Sequence, residues 1–61
     1  MAMKDIIAKI RDEKGLTQEQ MARELYVTRQ AVSRWETGET SPGIDMVKLI
    51  CTTFQVPLER F

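Results

Sequence analysis

The chain has 61 residues, with 9 Lys and Arg against 9 Asp and Glu, 43% hydrophobic residues, a single cysteine and no histidine. That is the size and composition of one small globular domain, near the lower limit for folding on a hydrophobic core alone, and it excludes an internal disulfide, a Cys/His zinc set and a Cys-His dyad. No apolar run is long enough to cross a bilayer or serve as a signal-peptide core, so a soluble cytoplasmic protein is expected, with no membrane partner.

Met1 and Ala2 are given no structural weight. Met3, Ile6, Ile7 and Ile10 then recur at the spacing of one helical face, with Lys4, Asp5, Lys9, Asp12 and Glu13 on the solvated side. Gly15 is a candidate to close this first helix.

Thr17 is placed to cap a second helix, and Gln20 follows it at the offset of a capping box. Met21, Ala22 and Leu25 form the inward face of that helix. Thr28 is placed to cap a third. Only Tyr26 and Val27 separate the two helices, too few for an antiparallel return, so they are expected to meet at a steep angle as a helix-turn-helix.

At ~100° per residue along the third helix, Val32 and Trp35 fall on one face and Gln30, Ser33, Arg34 and Thr37 on the other, with Arg29 at the edge. Trp35, in line with Val32, is assigned to the core. The polar face carries the side chains that pair with base edges in a major groove: Arg with guanine, Gln with adenine, Ser with either. Arg29, Gln30, Ser33 and Arg34 are therefore the candidate base readers, against the plainer reading of a merely solvated face. Although the net charge is zero, Arg29 and Arg34 stand in a stretch without acids, whereas Glu36, Glu39 and Asp45 follow without an intervening base.

The run LTQEQMARELYVTRQAVSRWETG, Leu16 to Gly38, resembles the helix-turn-helix of the lambda-repressor and Cro type, the XRE family. The likeness covers Gln18 at the opening of the second helix, Ala22 where the helices approach, Val32 as the anchor of the third, and the closing Trp35, Glu36 and Gly38. It extends to Arg11, Pro42 and the segment ending Phe54-Gln55-Val56. The family usually has glycine where this chain has Tyr26, and a left-handed backbone there costs a non-glycine residue ~1 kcal/mol or more. Tyr26 is expected to pack over the turn in preference to sending its hydroxyl to a phosphate.

The resemblance implies an all-α fold, a compact lambda-repressor-like bundle of four to five short helices occupying residues 1–61 as one domain. It implies an ion pair between Arg11 and Glu36. It also implies that Gln18 contacts the DNA backbone and braces Gln30, and that the loop after the third helix runs along the sugar-phosphate chain. Gln18, Thr28, Thr37, Thr40 and Ser41 are accordingly the candidate phosphate contacts, and Glu39, which phosphates would repel, is expected to point away.

Thr37 to Gly43 is a loop by composition, with Gly38 ending the recognition helix and Pro42 marking the next start. Ile44, Val47, Ile50, Cys51 and Phe54 form the core stripe of a fourth helix, with Cys51 read as a small buried hydrophobe. Pro57 suits the start of a fifth helix, which is expected to be cut short and which in relatives contributes to dimerisation. The expectation is a sequence-specific binder of double-stranded operator DNA in a transcriptional regulator, acting as a homodimer with helix 28–37 in the major groove. Neither enzyme activity, a metal nor a cofactor is expected. A protein-interaction module or an antitoxin component on the same scaffold is the alternative, and protection of DNA at low salt separates the first of these from a DNA binder.

Overall fold

The computed structural model describes residues 2–61; Met1, set aside above, lies outside them. Among the described residues there are four α-helices and no strand: α1 (Met3–Glu13), α2 (Gln18–Leu25), α3 (Arg29–Thr37) and α4 (Ile44–Phe54), followed by one 3-10 turn at Leu58–Arg60. The fold class is the all-α bundle anticipated from the residue spacing and the family likeness. Its core is one cluster in which Ile7, Ile10, Met21, Leu25, Val32 and Ile50 are fully buried. Each contributes on the order of 1.5–3 kcal/mol of apolar burial.

All four helices end in the same manner. The residue after the last turn takes a left-handed φ, at Gly15 (68°), Tyr26 (59°), Gly38 (83°) and Gln55 (56°). The next amide then donates back to a carbonyl one turn earlier: Leu16 to Arg11, Val27 to Ala22, Glu39 to Arg34 and Val56 to Cys51, each at 3.0 Å. This is the Schellman closure, which satisfies carbonyls that a helix end otherwise leaves without donors. In three cases the residue that turns back is apolar and joins or packs against the core, as Leu16, Val27 and Val56 do. At α3 that residue is Glu39.

Helix α3 lies against both α1 and α2, and α2 also packs on α4. Val32 and Trp35 thereby meet Ile6, Ile7, Ile10, Met21 and Leu25 in a single core, which fixes which side of α3 is left outward. The expected core stripe of α4 is corrected in part. Ile44 is 63% exposed and outside the core, because it is the first residue of α4 and the stripe is first buried at Val47, while Met46 and Leu49 pack partly buried against the core cluster. The fifth helix is the single 3-10 turn, after which Phe61 packs against the core. Cys51 is half-buried.

Candidate nucleic-acid interface

Three local devices set the position of α3. The hydroxyl of Thr17 accepts from the Gln20 amide at 3.1 Å while the Gln20 side chain accepts from the Thr17 amide at 2.9 Å, so α2 starts at Gln18 through a complete capping box. The turn reverses at Tyr26, whose φ of 59° and ψ of 39° are left-handed. Thr28 Oγ1 then accepts from the Ala31 amide at 3.2 Å, and α3 starts at Arg29.

Tyr26 does not pack over that turn: it is 91% exposed. The reason is geometric, since a left-handed residue at a helix end directs its side chain outward while the following Val27 turns in.

Along α3, Val32 and Trp35 are buried, Ser33 is half-buried, and Arg29, Gln30, Arg34 and Thr37 are exposed. Three of the four candidate base readers thus stand outward on the side away from the core, and Ser33 is partly shielded. No acid interrupts residues 29–35, so the outward side of the first two turns of α3 is basic.

Glu36, at the end of this helix, is gripped from two directions. Arg11 Nε donates to its Oε2 at 2.7 Å and Arg11 Nη2 to its Oε1 at 3.1 Å, while Gln18 Nε2 donates to Oε1 at 3.2 Å. Arg11 Nη1 also donates to the Leu16 carbonyl at 2.9 Å, so this one guanidinium joins α1, the loop before α2, and α3. The bond to Glu36 holds the guanidinium proton more firmly, outweighing partial burial, which loosens it. The brace from Gln18 expected at Gln30 runs instead to Glu36, a charged acceptor and hence the stronger partner.

Beyond α3 the loop is largely occupied with closing the helix. The Arg34 carbonyl accepts from the Glu39 amide at 3.0 Å, the Thr40 amide at 3.3 Å and the Thr37 hydroxyl at 3.1 Å. The one proton of Thr37 is therefore already donated within the chain, and those two amides do not face outward as phosphate donors; the Thr40 and Ser41 side chains are exposed. Glu39 does not turn away from the outward side of α3, since its Oε2 lies 3.8 Å from Arg34 Nε. The signal that reveals this pairing is Gly38, because a left-handed glycine brings the residue after it against the residue four before it.

A helix-turn-helix family description matches residues 7–61. The chain belongs to the helix-turn-helix family, in its Cro/C1-type branch. Membership in this family supports a part in DNA-binding transcription regulation. It is similar to the HTH-type transcriptional activator BcrR of Enterococcus faecalis, with 39% identity over 60 residues that cover 98% of this chain and 29% of that protein. The helix-turn-helix chain thus spans less than a third of the length of that relative. No solved structure gives a match. Among the described residues no helix is long and apolar enough to cross a membrane.

Proposed function

We propose that this chain binds double-stranded DNA sequence-specifically as the DNA-reading unit, residues 1–61, of a cytoplasmic transcriptional regulator, with α3 lying in the major groove. The observation that carries the reading is the division of α3: Val32 and Trp35 are locked into the core while Arg29, Gln30 and Arg34 stand outward. Arg29 and Gln30 meet base edges first, being at the end of α3 that enters the groove, and Ser33 and Arg34 read a turn later. Gln18 and the Thr28, Thr40 and Ser41 hydroxyls hold the register on phosphates, with Thr37 joining them only by giving up its bond to the Arg34 carbonyl. The likeness to a transcriptional activator supports a regulatory role.

A second copy completes the site. The longest dimension of the chain is 25 Å, which spans about seven base pairs at ~3.4 Å each, and a chain of zero net charge gains little from counterion release. Two copies on a two-fold operator with half-sites ~34 Å apart supply the missing affinity.

Selection of bound duplexes from a random-sequence pool tests the proposal. The expected result is an enriched motif with two-fold symmetry, and loss of one base preference when Gln30 is replaced by alanine. A pool that yields no enriched motif even at low salt overturns it, and is the result a protein-interaction module gives.

A further inference from the structure

The residue that turns back after the helix is apolar at the ends of α1, α2 and α4 and acidic only at the end of α3 (Leu16, Val27, Val56 and Glu39). The Schellman closure brings that residue against the one four before the left-handed glycine, a place that an apolar contact usually occupies. At α3 the two residues so joined are Glu39 and Arg34.

We propose that Glu39 is a positioning residue for Arg34, holding its guanidinium on the Nε side so that the terminal Nη1 and Nη2 donors face a base edge. The proposal rests on the reading of α3 given above. Its first support is the backbone. The Glu39 amide donates to the Arg34 carbonyl at 3.0 Å and the Gly38 amide to the Trp35 carbonyl at 3.3 Å, and the Gly38 φ of 83° is one that a side chain disfavours. The Cα of Glu39 is thereby tied to the last turn of α3, and the nearness of the two side chains follows from the main chain.

The second support is the guanidinium itself. Glu39 Oε2 lies 3.8 Å from Arg34 Nε, with the side chains 67% and 55% exposed. A pair this exposed adds little to folding stability, so its consequence is for where the arginine points. An acid on the Nε side leaves free the two parallel Nη donors, the pair that matches guanine O6 and N7. Restricting a long side chain before it docks also lowers the entropy lost on binding.

Glu39 has an opposing effect that separates cleanly from the first. Its charge repels phosphates whatever the sequence, so its removal strengthens binding to all duplexes alike. Positioning is therefore read in discrimination between base pairs, not in affinity.

The test uses the motif enriched from the random pool and duplexes that change its base pairs one at a time. Arg34→Ala locates the base pair that Arg34 reads, by abolishing discrimination there. At that position Glu39→Leu, which installs the residue type found at the other helix ends, is expected to reduce discrimination roughly twofold to fivefold. Glu39→Gln, which keeps a neutral acceptor, is expected to reduce it roughly twofold. Both variants bind an unrelated duplex more tightly than the parent. If discrimination at that position is unchanged in both while affinity rises everywhere, the proposal is overturned and Glu39 acts only as a diffuse charge. Glu39→Gln alters no shape, so its result stands even if the leucine variant melts early. If Arg34→Ala changes no position, or no motif is enriched, the reading of α3 itself fails and the role of Glu39 with it.

Discussion

Arg11 and Glu36, 25 residues apart in sequence, form a two-point ion pair in which Nε meets Oε2 at 2.7 Å and Nη2 meets Oε1 at 3.1 Å. The side chains are 25% and 10% exposed, so the pair is neither a free surface contact nor fully desolvated. It fastens the far end of α3 to α1, and the outward side of α3 depends on that attachment. Arg11→Met should therefore destabilise the fold by about 1–3 kcal/mol, less than a fully buried pair because water still reaches the guanidinium. Adding Glu36→Leu should recover part of that loss, since the stranded carboxylate is then gone. Thermal unfolding of the two single variants and the double one checks this; strictly additive losses would show that the pair carries no energetic linkage.

Tyr26 offers a change in the opposite direction. It holds a left-handed backbone while 91% exposed, so glycine would relieve the strain and sacrifice almost no packing. Set against the larger chain entropy of glycine when unfolded, Tyr26→Gly is expected to gain about 0.5–1 kcal/mol. A rise in the melting midpoint of a few degrees is the corresponding observation; a fall would mean that the tyrosine ring stabilises the turn after all.

Gln18 donates to Glu36 at 3.2 Å and stands at the start of α2, where free amides favour an anion. Gln18→Ala should weaken DNA binding by about 1 kcal/mol for cognate and unrelated duplexes alike. Because the residue is neutral, the slope of affinity against salt should stay as it was. Competition titrations at several salt concentrations distinguish this from a base reader, whose loss would fall on one sequence position.

The chain's last turn is tied to α1 by Arg60, which donates to Glu13 at 2.9 and 3.3 Å. These bonds hold the Glu13 carboxyl below its ordinary value of 4.5. A carboxyl whose pKa is lowered on folding contributes stability that is complete above the unfolded value and is lost as pH falls through the folded one. Glu13→Gln should accordingly lower stability near neutral pH slightly and flatten its decline below about pH 4.5. Melting midpoints from pH 7 down to pH 3 give the comparison; parallel curves for parent and variant would contradict it.

Much of this molecule was decided by short-range regularities. The apolar spacing of α1, the capping box at Thr17 and Gln20, the cap at Thr28, the two-residue link before it and the burial of Val32 with Trp35 all follow from contacts within a few residues. Helical period and cap chemistry are local, so they can be read without knowing where the chain goes next. Where α4 entered the core was less legible, because periodicity marks a face but not how far along its length a neighbour covers it; hence the exposed Ile44. The exposure of Tyr26 was legible only on condition that the turn be left-handed there, a backbone state that a non-glycine residue does not announce. Glu39 beside Arg34 follows from the local closure at Gly38, but only the tertiary structure joined Gln18 to Glu36 and Arg60 to Glu13. Long polar side chains reach several partners at comparable energy, so which one each takes is settled by the packing of the helices that carry them.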